Sequence, residues 1–317
     1  MQELLALVER ALGSAWREVV DHLRETNSLQ DIQSAIEAGD YASAIEGVEQ
    51  AAEHFASATS SAYRTAGERA SEWLNGEVDD KLISYDATNT AAVRWAEQNR
   101  LSMVQGLTAE QRQTMNQILV DAAREGRNPR EVARDIRQGL GLTPQQERWV
   151  SSYRDSLEAG QYSDALGREL SHGYSDRAIA AAARNRVELT PEQIDLAVDR
   201  YRANIVGYRA EVIARTEGLR VVHQGTEDAM KQAVARGLIE VDSLTREWST
   251  AHDGRVRSSH RAMQGQTRKI GESFETGDGV LLRYPGDPAA PASETAQCRC
   301  CIGTRYAPPG TAERFRP

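Results

Sequence analysis

Long apolar runs are missing from this sequence. No stretch approaches the roughly 20 apolar residues that a membrane-crossing helix needs. The opening, MQELLALVER, sets acidic residues among apolar ones, which predicts no cleavable signal peptide. Cysteine is scarce: there are three, all between 298 and 301. An odd, clustered count without a secretion signal argues against a disulfide framework and for a reducing compartment. Positive charge is in deficit, with 38 Lys and Arg against 47 Asp and Glu, a net charge of −9 and a pI near 5.3. Proteins that wrap nucleic acid over their whole surface are basic, so any such contact here is a local patch. Also missing are a nucleophile elbow, a phosphate-cradling glycine loop and an H-E-x-x-H helix.

What is present is helix. The 317 residues are 40% hydrophobic and 27% charged, enough apolar material for one large or two ordinary domains. A mean hydropathy of −0.58 predicts long, well-solvated helices and an elongated shape. Up to about residue 240 helix starts are punctuated. NPRE (128–131) offers Asn128 as N-cap and Pro129 at the first helical position, and TPQQ (143–146) and TPEQ (190–193) repeat the design with Thr143 and Thr190. TAEQ (108–111) reads as a fourth start, without proline. QGLGLTP (138–144) and ARGLIEVD (235–242) read as stops. Tyr201, Ile205, Tyr208, Val212, Leu219 and Val222 recur at helical spacing and predict a core or partner seam. EAGDYASAI (37–45) resembles EAGQYSDAL (158–166), one short match that suggests a hairpin used twice but falls short of a repeat array.

After about 243 the texture changes. LTREWST (244–250) reads as a strand and ESFETGDGVLLRYPG (272–286) as a hairpin turning at TGDG. CRCCIGTRY (298–306) alternates as a closing strand. The fold class expected is mainly α: an elongated helical bundle with a small C-terminal α+β domain. Its blocks are an N-terminal helical region (1–85), a helical domain (86–242), the α+β domain (243–306) and an extended tail (307–317).

Three chemistries compete for the C-terminal polar residues. His252, Asp253, His260, Cys298 and Cys300 could supply four ligands to zinc, although the C-x-C spacing is not that of a usual finger. The bland alternative is a pair of small buried cysteines, with Cys301 pointing outward. Cys298 or Cys300 with His260 could form a nucleophile pair, against a structural histidine bonded to backbone. Arg255, Arg257, Arg261, Arg268 and Lys269 form a basic cluster that would meet DNA phosphates without reading sequence. No aromatic interleaves them to stack on bases, and the same cations could equally pair within the chain. Flanking the seam, Arg215 and Glu217 read as a buried pair that fixes the approach of the C-terminal domain, against the bland alternative of two solvated side chains.

The order of these elements carries a resemblance. ARTE (214–217) lies on a long helix and Gly237 near its end. REW (246–248), HDGRVRSSHRAMQGQ (252–266), ESF (272–274), YPGDP (284–288) and CRC (298–300) then follow. The series resembles the Mu F-like family of phage minor head proteins, over roughly 200–303, and more loosely over 85–200 through LTPQQERWVSSYRDSL (142–157). Residues 1–85 carry no resemblance. The residues matching the family motifs as structural positions are Arg215, Glu217, Trp248, Asp253, Arg257, His260, Gly265, Pro285, Cys298 and Cys300. Gln297 stands where the family usually has asparagine, and Cys301 is extra, which puts in doubt any tight turn an asparagine would make there. The resemblance implies a minor head protein that acts in head morphogenesis near the portal and is not an enzyme. The partners it implies are the portal protein, a scaffold or major capsid protein, and packaged DNA, with several copies around the portal and no membrane. It implies a place in the virion interior, and in the host cytoplasm during assembly. No cofactor follows from it; zinc is left to the cysteine–histidine set. The competing reading is a metal-dependent hydrolase or toxin-like transferase centred on His260, Cys298 and Cys300.

Overall fold

Proline and a short polar side chain start the helices where the sequence places them. In the computed structural model, which describes residues 1–40, 43, 47–78 and 82–308 (the side chains of 123 and 125 excepted), nine α-helices precede the first strand among the described residues. They are α1 (Gln2–Thr26), α2 (Leu29–Ala38), α3 (Val48–Glu77), α4 (Thr90–Glu125), α5 (Pro129–Gly139), α6 (Pro144–Glu158), α7 (Tyr162–Leu166), α8 (Gly173–Asn185) and α9 (Pro191–Ala235). Asn128 accepts from the Glu131 N–H at 3.0 Å. Thr143 and Gln146 exchange the two bonds of a capping box, and Thr190 and Gln193 do the same. Gly237, in the left-handed region, follows the end of α9.

TAEQ does not start a helix: 108–111 lie inside α4. Without a proline nothing forces a break, and Gln111 is used elsewhere. Its side-chain amide donates to the Leu142 carbonyl at 2.9 Å and its oxygen accepts from the Gly141 N–H at 2.9 Å. The tail from 309, and residues 41–42 and 44–46 of the first of the two similar hairpins, fall outside the described residues. In the second, α6 ends at Glu158, Gly160 turns with φ 69°, and α7 begins at Tyr162.

The chain forms two compact units, and neither is a continuous block of sequence. One comprises 16–54 and 102–210, the other 1–15, 55–101 and 211–317. The blocks expected from sequence (1–85, 86–242, 243–306) do not coincide with them, because α1, α3, α4 and α9 each contribute residues to both. The unit of 16–54 and 102–210 is held by apolar packing and a polar centre. Tyr153 stacks on Tyr201 at 4.3 Å between ring centroids. Arg202, buried, reaches the Glu147 carboxylate at 3.2 Å and Asp135 at 3.5 Å. Burial pushes the Glu147 carboxyl up, and Arg202 opposes the shift. Arg209 binds Glu110 at 2.5 Å and lies over the Trp16 ring at 5.3 Å.

In the other unit α3 and α9 cross closely. Leu74 of α3 and Val78 just beyond its end join Ile83, Met230, Ala233, Ile239 and Leu244 in one apolar cluster, where each fully buried Leu, Ile, Val or Met contributes roughly 1.5–3 kcal/mol. Tyr63 on α3 donates to Asp228 on α9 at 2.6 Å and stacks on Trp95 at 4.5 Å. The crossing depends on Gly225, where a Cβ would sit 2.4 Å from the Tyr63 carbonyl oxygen.

Beyond α9 the elements are β1 (Leu244–Ser249), α10 (Ser258–Arg261), β2 (Thr267–Lys269), β3 (Phe274–Glu275), β4 (Leu281–Leu282), α11 (Ala292–Thr295) and β5 (Cys301–Tyr306). β1 is the centre of an antiparallel sheet of order β2-β1-β5, with Arg246 opposite Arg268 and Trp248 opposite Ile302. β3 and β4 form the expected hairpin, although its strands are only two residues long. The short β2 and the single-turn helices α10 and α11 carried no periodic signal.

Gly225→Ala should therefore lower stability by about 1–3 kcal/mol, because backbone cannot yield as a side chain can. Gly207→Ala, also inside α9 but with open space around its Cβ position, should be neutral or stabilising by up to about 1 kcal/mol. Thermal denaturation of the two variants reads the difference.

Candidate functional site

Arg246 is the best-anchored polar residue of the C-terminal region, and it is 2% exposed. On β1 it points inward and donates to the Glu227 carboxylate of α9 at 3.0 Å. It also donates to the backbone carbonyls of Lys269 (3.0 Å), Arg283 (2.9 Å) and Glu272. Burial pulls its guanidinium below the ordinary value and Glu227 holds it up. Glu227 also takes Lys231, one turn along α9, at 2.7 Å. One side chain thus ties a helix, a strand edge and two loops.

The family-motif residues surround this anchor. Trp248, fully buried two residues along β1, meets Phe274 and His260 edge-on at 5.3 and 5.5 Å. Its backbone N–H donates to the Gln266 carbonyl and its backbone carbonyl accepts from the Gly265 N–H, Gly265 taking φ 75°. Pro285 is buried next to Gly286, whose absent Cβ would lie 3.1 Å from the Arg220 nitrogen of α9. Tyr284 donates to Gln224 at 2.5 Å. Asp287 closes the turn by accepting from the Arg283 backbone and guanidinium, both at 2.9 Å. His223, on the same stretch of α9, is pushed down to about 3 by burial and then by Arg246, so it is neutral near pH 7.

His260, Cys298 and Cys300 come together. The His260 Nδ1 lies 3.5 Å from both sulfurs, and all three residues are buried. The Cys300 N–H donates to the Cys298 sulfur at 3.4 Å. On the other side of the ring, Nε2 lies 2.9 Å from a Glu294 carboxylate oxygen, within ion-pair distance though off hydrogen-bond alignment. That same oxygen accepts from the Ser259 hydroxyl at 3.0 Å. The hydrogen bond from Cys300, then His260, brings the Cys298 thiol down to about 5 against the upward push of burial. Cys300 is pushed up, first by that bond and then by burial. One sulfur is thus favoured as thiolate and the other as thiol. α10 carries His260 and Ser259, and α11 carries Glu294. The turn between α11 and β5 aims both cysteines inward. Gln297 makes that turn with φ 54°, the conformation asparagine adopts with least strain, while its N–H donates to Thr216 of α9 at 3.3 Å.

His252 and Asp253 do not join this cluster. Both are exposed, on a turn where His252 takes φ 53°. Asp253 instead receives a two-pronged ion pair from Arg299, 2.5 Å at each oxygen, which lowers its carboxyl. Arg299 falls between the two cysteines in sequence, and its alternation turns it toward solvent. Arg215 and Glu217 do not pair with each other either. Residues two apart on a helix face different ways, so Arg215 lies 3.8 Å from Glu9 and Glu217 binds Arg220 at 2.9 Å.

The basic cluster is split. Arg268 is turned onto the Ser273 and Thr267 carbonyls at 2.8 Å, and Lys269 pairs with Asp242. Arg257 donates to the Ala296 carbonyl, tying the 252–257 loop to α11. Arg255 and Arg261 are exposed, with the Arg261 Nε donating to the Val256 carbonyl at 3.2 Å. Sequence reasoning missed Arg246, Glu227, Glu294 and Asp287. REW was visible as a motif, but nothing local told its arginine from any surface cation.

A family model described as Phage Mu protein F like protein matches residues 113–303, more than half of the chain. Among curated proteins, the minor head protein GP7 of Bacillus phage SPP1 is 31% identical over 94 residues, which is 30% of this chain and 29% of that protein. The match therefore spans less than a third of that relative's length. No solved structure matches the chain.

Two outcomes follow from the geometry. Arg246→Met should cost about 3–5 kcal/mol by taking from Glu227 its buried partner and leaving it only the half-exposed Lys231, whereas Arg305→Ala, which breaks an exposed pair with Glu247, should cost less than about 1 kcal/mol. Gln297→Asn should stabilise by up to about 1 kcal/mol, because asparagine accepts the left-handed turn more readily. Denaturant midpoints at constant slope measure both.

Proposed function

Because the chain belongs to the Phage Mu protein F like family, we propose that it is a minor head protein of a tailed phage, acting in head morphogenesis at or near the portal. It is assembled in the host cytoplasm and carried in the virion, in several copies inside the head. The observation that carries this reading is the family match itself, which takes in α5 to α9 and nearly all of the Arg246-anchored region. The similarity to a minor head protein supports it. Its partners are the portal protein, with the scaffold or major capsid protein, and packaged DNA at one place. No helix among the described residues is long and apolar enough to cross a membrane.

The role is structural rather than catalytic. A hydrolase or transferase would have to bring substrate to His260, Cys298 and Cys300, which are 1%, 2% and 3% exposed. Their surroundings are aromatic and backbone groups that tie β1, α10 and α11 together. DNA contact falls to Arg255 and Arg261, which are exposed and meet no carboxylate among the described residues; Lys269 is exposed but paired with Asp242, and Arg257 and Arg268 are turned onto backbone carbonyls.

Head particles should contain the protein by mass spectrometry, and the full chain should co-purify with the portal protein of the same phage. A portal ring that elutes free of the chain, together with heads that lack it, would sink the reading. The double substitution Arg255→Glu with Arg261→Glu should lower the slope of log affinity for duplex DNA against log salt by about 2 and leave portal binding intact.

A further inference from the structure

We infer that His260, Cys298 and Cys300 form a binding site for a thiophilic divalent cation, with Zn²⁺ as the ion whose chemistry fits best. The site would serve structure, locking the turn before β5 onto α10. In a tetrahedral zinc site with Zn–S near 2.3 Å and Zn–N near 2.1 Å, a sulfur and a nitrogen ligand lie about 3.6 Å apart. Here the His260 Nδ1 lies 3.5 Å from each of the two sulfurs. Two thiols need no common nitrogen equidistant from both to pack as apolar residues. A metal site does.

The outer contacts are those of a ligating histidine. Its second nitrogen lies 2.9 Å from Glu294, itself oriented by Ser259, and a small ring rotation would align the hydrogen bond by which carboxylates fix ring orientation and raise ligand basicity at metal sites. The Cys300 N–H on the Cys298 sulfur would stabilise a bound thiolate in the same way. Charge selects the ion. Two thiolates, a neutral imidazole and Zn²⁺ sum to zero, which suits a buried position. A monovalent soft cation would leave a net negative charge beside Glu294, which burial penalises. Oxygen-seeking cations such as Mg²⁺ are excluded by the sulfur ligands. Among the described residues, these three His, Cys, Asp or Glu side chains cluster here and supply three protein ligands.

The test is metal analysis of the purified full chain, reconstituted with Zn²⁺ under reducing conditions and passed through gel filtration. Wild type should retain about one zinc per chain, and Cys301→Ser should retain it too. Cys298→Ser and His260→Gln should each lose it, and Glu294→Gln should weaken affinity by roughly 10–100-fold without removing a ligand. Cobalt replaces the mutants if they fail to fold: Co²⁺-loaded wild type should show thiolate-to-cobalt charge transfer and a tetrahedral d–d spectrum. Folded wild type that retains neither ion overturns the proposal. So do zinc retention by Cys298→Ser, and a cobalt spectrum without the charge-transfer band.

Discussion

The buried ion pair between Arg246 and Glu227 is the constraint from which the C-terminal region follows. Taking each ion out of water costs several kcal/mol, and their mutual attraction alone does not offset it. The balance closes only because the guanidinium finds further acceptors: the carbonyls of Lys269, Glu272 and Arg283. These carbonyls belong to segments with little regular structure of their own. β3 and β4 have two residues each, and β2 has three. Such segments have few ladder bonds to hold them, so a central cation with fixed fork geometry substitutes for a sheet.

The cysteine–histidine cluster depends on the same anchor at one remove. With Arg246 pointing to α9, Trp248 two residues on points to the same face and presents its ring to His260. The turn that brings Cys298 and Cys300 to the imidazole is held to α9 through Thr216 and to the 252–257 loop through Arg257. A threonine lying between Arg215 and Glu217 thus does what the pairing of its neighbours was expected to do.

Much of this was legible. Helix starts marked by a cap and a proline stand where the sequence puts them, because those residues act on the backbone beside them. The strand at REW, the hairpin and the closing strand were readable from period-two patterns. What escaped were effects at a distance. TAEQ has the letters of a start, but Gln111 bonds to a turn thirty residues away. His252 and Asp253 share a stretch with His260, yet a left-handed residue turns them outward. Glu294 and Glu227 are two among 47 acidic residues, and only the fold tells them apart. A cation whose main partners are carbonyl oxygens leaves no trace in charge patterning at all.

The discontinuity of the two units sets an order of events during synthesis. Leu74 and Val78 pack against Met230, Ile239 and Leu244, so their cluster stays open while the intervening 150 or so residues are made, roughly 10–30 s at bacterial elongation rates. In that interval the first helices expose apolar faces with nothing native to cover them. A chain that stops before Met230, Ile239 and Leu244 leaves Leu74 and Val78 without their native cover, so the early helices depend for their burial on residues made much later.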